Sequence, residues 1–458
     1  MAEINPQIFR QYDIRGTVGE DLTAEVAEQV GRAFGTMLSR QGGKAVAVGQ
    51  DNRLSSPEMH EALIAGILST GVDVLDTGLH PTPVLYFALF NLPIQGGAQV
   101  TGSHNPPHMN GFKVAIGKAT LYGDQIQELY QLIRKNDLLR GKGSRVSREV
   151  IPDYLAAIRS RITLERPLQV VVDAGNGTAG PIAPGLLTDL GCQVVPLYCD
   201  LDGRFPNHHP DPTIVAAMQD LIAKVRETAA DVGIAYDGDA DRIGVVDDSG
   251  QIVWGDRLLA LYAREVLARQ PGAPIIFEVK CSQALVEEVE RRGGRPIMWQ
   301  TGHSLIKKKM HEEASPLAGE MSGHMFFADE YYGYDDAIYA SCRLLRLMSR
   351  EKESLSSLMA TIPSYPSTPE IRVDCPDEIK FRVVQEIGDD FRRHFPTVDV
   401  DGVRVLFGDG WGLLRASNTQ PALVLRFEAR TLERLEEIRA MFAERLRRYP
   451  EARLPSGW

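Results

Sequence analysis

The stretch KAVAVG (44–49), with the segments that follow it, decides the fold. A helical segment spans 56–69, and a second apolar run, GVDVLDTG (71–78), comes after it. This order is typical of a strand, an amphipathic helix, a glycine stop and a second strand. Parallel strands need such a crossover, so the stretch predicts a βαβ unit in a parallel sheet.

The same pattern recurs twice further along the chain. The second copy comprises 168–173, 182–190 and 191–198, and the third comprises 273–279, 282–292 and 294–302. The copies begin roughly 105–125 residues apart, which is too long for a solenoid, whose repeats have about 20–50 residues. They predict three related α/β domains with mixed, largely parallel sheets.

The C-terminal part departs from this pattern. Its predicted strands are 370–374, 403–407, 412–416 and 422–429, and its predicted helices are 378–395 and 432–447. Strands joined by short turns, with the helices set apart, predict an α+β domain. With IPSYPSTP (362–369) taken as a linker, the predicted domains span 1–149, 150–251, 252–363 and 364–458.

Composition excludes several function classes. The net charge is −11 and the only basic run is Lys307-Lys308-Lys309, so we expect no nucleic-acid partner. No 18 consecutive residues are apolar and 1–15 lacks a leader-like run, so we expect a cytoplasmic protein with no membrane partner. The five cysteines are odd in number and lack C-x-x-C spacing, which argues against a disulfide framework and a structural zinc site.

The strongest local signal is DGDADR (237–242), between predicted strands 231–236 and 243–247. Three carboxylates at alternate positions of a tight turn repel one another unless a hard divalent cation binds them. A solvated acidic turn is one alternative. A calcium-binding EF-hand loop is another, but it needs glycine where this chain has Arg242. We favour a metal site, with magnesium if phosphate shares it.

A second motif, TGSHNP (101–106), follows an apolar run. Ser103 is a candidate nucleophile or phosphate carrier, with His104 beside it and Lys113 ten residues on. A serine hydroxyl needs a base and an electrophilic partner to react, and the aspartate motif can supply the partner. The alternative is an ordinary Ser/Asn/Pro turn.

Two further motifs suit a phosphorylated sugar. In GEMSGH (319–324), Glu320 and Ser322 can bond sugar hydroxyls and His324 can transfer protons. RASNTQP (415–421) offers a guanidinium, hydroxyls and an amide, which suit a phosphate. Each alone could be a plain loop. GNGTAG (175–180) matches a dinucleotide-binding turn, but the prolines that follow it favour a tight strand–helix turn instead.

These motifs, in this order and one per domain, resemble the α-D-phosphohexomutase superfamily, and most closely its bacterial phosphomannomutase/phosphoglucomutases. The resemblance covers essentially the whole chain and implies four domains around a central cleft. It implies that Ser103 is a phosphoserine and that Asp237, Asp239 and Asp241 bind Mg²⁺ together with it. The implied substrate-binding residues are Tyr12, Lys280, His303, Glu320, Ser322, His324, Arg415, Ser417, Asn418 and Thr419.

The resemblance also implies the reaction, a transfer of phosphate between the 1- and 6-positions of a hexose through a hexose 1,6-bisphosphate. The implied catalytic residues are Ser103, His104, Lys113, Arg15, Arg242 and His324. We expect His324 and Lys113 to move protons, with Arg15 in support, and domain IV to move during turnover. The substrate loops resemble those of enzymes that accept both mannose and glucose. The partners expected are small sugar phosphates, and a monomer is expected, with an oligomer left open.

Alternatives remain at this point. One is a phosphohexomutase of another specificity, acting on glucosamine phosphate or on glucose phosphate alone. A second is a metal-dependent sugar-phosphate phosphatase, although such sites usually contain histidine ligands and more than one metal. A third is a non-catalytic protein that binds sugar phosphates.

Overall fold

The computed structural model describes residues 4–417, 420–454 and 458. The first domain is built on a seven-stranded sheet with strands β1 Ile14–Thr17, β2 Ala45–Gln50, β3 Asp73–Leu79, β4 Gly96–Val100, β5 Met109–Ile116, β6 Ala119–Thr120 and β7 Arg145–Ser147. Its helices are α1 Ala24–Arg40, α2 Ser56–Leu68, α3 Thr82–Asn91 and α4 Asp124–Arg134. β2, β3, β4 and β7 are parallel, and β5 runs antiparallel to β4 and to β1.

The second domain has a five-stranded sheet in the order β12-β11-β10-β8-β9. Its strands are β8 Gln169–Asp173, β9 Gln193–Leu197, β10 Val232–Tyr236, β11 Ile243–Asp247 and β12 Ile252–Val253. Its helices are α5 Ile151–Arg159, α6 Ala183–Asp189 and α7 Gln219–Thr228. Helices cover both faces of a parallel sheet, so its inner strands are apolar throughout, and Val170, Val171 and Val172 are fully buried.

The third domain has a four-stranded sheet in the order β14-β13-β15-β16. Its strands are β13 Pro274–Glu278, β14 Arg295–Trp299, β15 Leu317–Gly319 and β16 Met325–Phe327. Its helices are α8 Gly255–Arg269, α9 Gln283–Arg291, α10 His303–Glu313, α11 Ala337–Arg350 and α12 Leu355–Ala360. One hydrophobic core extends from this domain through the second domain into α3 of the first.

The fourth domain has an entirely antiparallel five-stranded sheet in the order β17-β21-β20-β19-β18. Its strands are β17 Ile371–Asp374, β18 Thr397–Val398, β19 Val403–Leu406, β20 Gly410–Ala416 and β21 Ala422–Ala429. Its helices are α13 Asp377–Arg392 and α14 Leu432–Leu446. The predicted fold class, three related α/β domains and a C-terminal α+β domain, is confirmed. The two-residue strand β18 was not predicted.

The first three sheets share one topology that places their loops. In each, a βαβ pair of parallel strands is extended by a third parallel strand and then by an antiparallel strand: β3-β2-β4-β5, β9-β8-β10-β11 and β14-β13-β15-β16. The connection between the last two strands leaves the sheet at the carboxyl ends of the parallel strands, where α/β sheets bind ligands. We name these connections the serine loop (101–108), the aspartate loop (237–242) and the glutamate loop (320–324).

Within the part of the chain that the structure describes, no helix is both long and apolar enough to cross a membrane.

Candidate active site

The serine loop brings Ser103 to the aspartate loop. The Oγ atom of Ser103 donates to Oδ2 of Asp237 over 2.9 Å and lies 3.2 Å from Nδ1 of His104. Ser103 is buried and has φ +49°, in the left-handed region that few residues with a side chain adopt. Its amide donates to Oγ1 of Thr101 over 2.8 Å, which helps to hold this conformation.

The three carboxylates of the aspartate loop converge as the motif predicted. Asp237, Asp239 and Asp241 are fully buried, and each offers an oxygen within 4.8 Å of the others. Oδ1 of Asp239 and Oδ1 of Asp241 accept no hydrogen bond from any residue that the structure describes. Buried carboxylate oxygens without donors are costly, and oxygen ligands suit a hard cation such as Mg²⁺. The donor set therefore fits a magnesium ion.

Burial and the neighbouring charges shift the pKa values of the groups in this cluster. Burial, with the charges of Asp241 and Asp239, raises the pKa of Asp237 well above its ordinary value. Lys113 Nζ donates to Oδ2 of Asp239 over 2.7 Å and also to Asp241. Burial disfavours its charge, but these carboxylates outweigh burial and raise the pKa of Lys113 above the ordinary lysine value. Lys113 is thus a charged donor in this arrangement.

The glutamate loop lies on the other side of the aspartate loop. His324 Nε2 accepts a hydrogen bond of 3.0 Å from Nε of Arg242, and His324 Nδ1 lies 3.2 Å from Oδ2 of Asp335. The ring of His303 stacks on that of His324, with centroids 5.8 Å apart. Burial, with the charges of Arg242 and Arg15, lowers the pKa of His104 well below its usual range. His324 thus contacts Arg242 and stacks with His303, and the charge of the same arginine acts on His104.

The carboxylate of Glu320 is fixed by two donors. The amide of Gly302 donates to Oε1 over 2.8 Å, and Ser322 Oγ donates to Oε2 over 2.9 Å. The hydroxyl of Tyr12 donates to the carbonyl of Thr301 over 2.6 Å. The turn before α10 thus joins the N-terminal segment to the glutamate loop.

The remaining candidate cations are each paired. Arg15 Nε donates to Asp13 over 2.6 Å, and Arg415 Nε donates to Asp401 over 2.9 Å. Lys280 Nζ donates to Glu370 over 3.1 Å. Ser417 lies at the end of β20, and its amide donates to the carbonyl of Ala422. Asn418 and Thr419 lie outside the described residues.

Three buried charged residues that contact the loops of the site escaped the sequence analysis. Glu278 is fully buried and accepts from the amides of Lys280 and Met321, over 2.7 and 3.2 Å. Asp335 pairs with Lys307 over 2.9 Å and faces His324. Arg53 donates to backbone carbonyls of the serine loop. Isolated charged residues carry no motif, although the position of Glu278 within the apolar run 273–279 was a usable signal.

The glycine turn that mimics a dinucleotide site supports the aspartate loop. The amide and the hydroxyl of Thr178 both donate to the carbonyl of Gly238, each over 3.0 Å. A Cβ atom on Gly177 would lie 2.7 Å from the same carbonyl oxygen, so only glycine allows this approach. The turn at 175–180 thus packs against the backbone of the aspartate loop.

Comparisons with known proteins identify the family of this chain. Four models described as phosphoglucomutase/phosphomannomutase match in order: α/β/α domain I at 6–140, domain II at 152–250, domain III at 254–365 and the C-terminal domain at 370–445. The chain belongs to the phosphoglucomutase/phosphomannomutase family, within the α-D-phosphohexomutase superfamily.

Several relatives match over nearly the whole chain. A phosphomannomutase/phosphoglucomutase of Pseudomonas aeruginosa is 50% identical over 441 residues, covering 96% of this chain and 95% of that protein. A phosphoglucomutase of Neisseria meningitidis is 43% identical over 447 residues, covering 96% of this chain and 97% of that protein. A crystal structure of a phosphoglucomutase/phosphomannomutase family protein from Burkholderia thailandensis has a TM-score of 0.93 and 46% identity, covering 99% of this chain and 100% of that one.

Proposed function

We propose that this chain is an isomerase that reversibly moves phosphate between the 1- and 6-positions of mannose and glucose phosphates. The observation that carries the proposal is the 2.9 Å hydrogen bond from Ser103 Oγ to Asp237. It brings the only serine of the 101–106 motif to a cluster of three buried carboxylates suited to Mg²⁺. A phosphate carried on Ser103 would share that cation.

The reaction comprises two phosphoryl transfers. Phosphorylated Ser103 gives its phosphate to the free hydroxyl at C6 or C1, which forms a hexose 1,6-bisphosphate. The sugar turns end for end, and Ser103 then accepts the other phosphate. Catalysis of such transfers depends on positioning and charge neutralisation. Asp237, Asp239 and Asp241 would hold Mg²⁺, which when bound polarises phosphate oxygens and offsets their charge.

Cations and acid–base groups surround the reacting hydroxyl in the proposed complex. Arg15, Arg242 and Lys113 offset the charge of about −2 on a phosphoserine. His324 is the proposed proton-transfer group, since its Nε2 accepts from Arg242 and can exchange that partner for a substrate hydroxyl. Lys113 stays a second candidate, and it first has to leave the carboxylates of Asp239 and Asp241.

Substrate recognition is assigned to the groups around the turn at 301–303. Glu320 and Ser322 would bind O3 and O4, which glucose and mannose share, while no described group is assigned to O2. Arg415 would bind the phosphate that is not transferred, and Lys280, His303 and Tyr12 would line the rest of the cleft. We further propose that the enzyme acts in the cytoplasm, because its five cysteines are free. A monomer is proposed as well, and a measurement of the molecular mass in solution tests it.

Mass spectrometry of the purified chain tests the proposal. We expect a phosphate on Ser103 that is lost on incubation with glucose 6-phosphate or mannose 6-phosphate and restored by glucose 1,6-bisphosphate. Ser103→Ala should lose both the phosphate and isomerisation. Assays with the 1-phosphates of mannose, glucose and glucosamine separate the specificities. Release of inorganic phosphate as fast as isomerisation would instead indicate a phosphatase.

A further inference from the structure

Arg53, which lies just after β2, donates its side-chain hydrogen bonds to the serine loop and to the first residue of β5. One terminal nitrogen donates to the carbonyls of Ser103 and Asn105, over 2.7 and 2.6 Å. The other donates to the carbonyls of Pro106 and Met109, over 2.7 and 3.0 Å. Only 1% of Arg53 is exposed, so water cannot replace these bonds.

The guanidinium of Arg53 also forms an ion pair with a carboxylate that binds the loop. Nε of Arg53 lies 3.2 Å from Oδ2 of Asp51, and the amide of Gly102 donates to the same oxygen over 3.1 Å. A Cβ atom on Gly102 would lie 2.5 Å from the guanidinium carbon, so the arginine packs flat against the backbone of that glycine. The Asp51–Arg53 pair therefore holds the residue before Ser103 as well as Ser103 itself.

This support lies opposite the aspartate loop. A Cβ atom on Gly238 would be only 2.5 Å from the carbonyl oxygen of Ser103, so the two loops touch backbone to backbone. A non-glycine residue in the left-handed region is strained, and it persists only where its surroundings enforce it. Arg53 binds that same carbonyl of Ser103 from the other side. The conformation that directs Oγ toward Asp237 thus depends on bonds from Arg53.

We infer that Arg53 is a positioning residue for phosphoryl transfer, which rests on the function proposed above. It holds the serine loop so that Ser103 Oγ meets the aspartate loop, and it never touches the sugar. A planar fork whose two terminal nitrogens reach four carbonyls is required for this task, because a lysine ammonium offers three donors from a single point. Loss of the fork should therefore impair the transfer step and leave sugar binding intact.

The test compares Arg53→Lys with a matched control, Arg343→Lys. Arg343 is also fully buried and pairs with Glu265 and Asp329, each over 2.7 Å, away from the serine loop. We expect Arg53→Lys to lower kcat roughly ten- to hundredfold, the effect of a small misplacement of reacting groups. KM should change less than about threefold, and transfer from phosphorylated Ser103 to mannose 6-phosphate in a single turnover should slow by the same factor as kcat.

Asp51→Asn provides a second variant. It removes the charge that faces Arg53 and keeps one of the two oxygens, which accept from Gly102 on one side and from the Arg53 amide and Ser56 on the other. A smaller fall in kcat at unchanged KM is expected. The inference is overturned if Arg53→Lys keeps the wild-type kcat or if Arg343→Lys lowers kcat equally. It is also overturned if Arg53→Lys and Asp51→Asn both fail to fold while the control Arg343→Lys folds. Absence of a Ser103 phosphate in the wild-type protein would instead reject the proposed function, before any variant is compared.

Discussion

The hydroxyl of Ser103 and the carboxylate of Asp237 are hydrogen-bonded over 2.9 Å although 134 residues separate them in the chain. They belong to different domains, and each lies on the loop between a parallel strand and an antiparallel strand of its own sheet. A repeated topology has therefore placed a nucleophile and an acidic cluster face to face. The site is made by domain packing, so its integrity can be measured through stability as well as through activity.

Asp237→Asn should raise the melting temperature of the metal-free protein. Burial and repulsion by Asp241 and Asp239 disfavour the ionised form of Asp237, so a side chain that stays neutral removes this cost. The asparagine oxygen can still accept from the amides of Asp241 and Arg242, and its NH₂ group can donate to the hydroxyl of Ser103. The same variant should lose stabilisation by Mg²⁺, which for the wild-type protein is about 2.7 kcal/mol at 100 times Kd. Thermal unfolding with and without MgCl₂ measures both effects.

The exposed Asp220 on α7 supplies the control, because Asp220→Asn should leave the response to Mg²⁺ unchanged. A metal-free Asp237→Asn protein that melts below the wild-type protein would contradict the repulsion argument. An undiminished response to Mg²⁺ would show that Asp237 is not a ligand.

Glu320→Gln should lower kcat/KM for mannose and glucose phosphates by the same factor. The carboxylate accepts from Gly302 and Ser322, and a glutamine amide would place an NH₂ group against one of these donors. Hydrogen bonds to a charged group contribute about 1.5–3 kcal/mol, which corresponds to a loss of roughly 10- to 100-fold. Steady-state kinetics on both sugars measures the effect.

Glu312→Gln, an exposed change on α10, is the matched control for this experiment. A loss confined to one of the two sugars would refute recognition of the hydroxyls that both share. It would then assign Glu320 to the position at which glucose and mannose differ.

Domain IV should change position when a sugar phosphate binds. It contacts domain III through Arg404, which donates to the carbonyls of Val279 and Cys281 over 2.7 Å each. At the cleft, Asp401 accepts from both Arg415 and the amide of Thr301, so a phosphate that binds Arg415 competes with a contact between the domains. Crystal structures with and without glucose 1-phosphate measure the shift. Identical placement of domain IV in both would count against it.

The sequence was most informative about the fold where its pattern was periodic. Apolar runs separated by amphipathic segments predicted all three βαβ units, and the observed strands β2, β8 and β13 lie within one residue of their predicted limits. The four-domain fold class and the family are confirmed. The edge strand β18 was missed because two residues provide no periodicity. The domain boundaries and the roles of individual site residues stay predictions.

The site was predictable where chemistry is concentrated in short motifs, as in 101–106 and 237–242. It was not predictable where function depends on contacts between distant segments. Arg53, Glu278 and Asp335 are single charged residues, and their importance comes from burial against loops that lie far away in the chain. Lys307, in the basic run, forms a part-buried ion pair with Asp335.

Asp336→Asn should remove a pH dependence of stability between about pH 4 and pH 6. Burial raises the pKa of Asp336 to about 6, from an ordinary value of 3.8. The folded protein therefore keeps a proton that the unfolded chain has released in this window. The contribution of Asp336 to the free energy of unfolding is thus greatest below pH 3.8 and is lost as the pH rises through 6. Two pKa units correspond to about 3 kcal/mol. Asparagine does not titrate and still caps α11, since it can accept from the amide of Tyr339 as Asp336 does over 2.8 Å.

Urea unfolding of the wild-type protein and the variant at pH 4 and pH 7.5 measures the effect, because titrations common to both proteins cancel in the difference. The variant should gain about 3 kcal/mol relative to the wild-type protein over this interval. Asp189→Asn, at an exposed position that pairs with Arg159, should show no comparable gain. A constant difference between Asp336→Asn and the wild-type protein at the two pH values would mean that Asp336 is already ionised in the folded protein at pH 4.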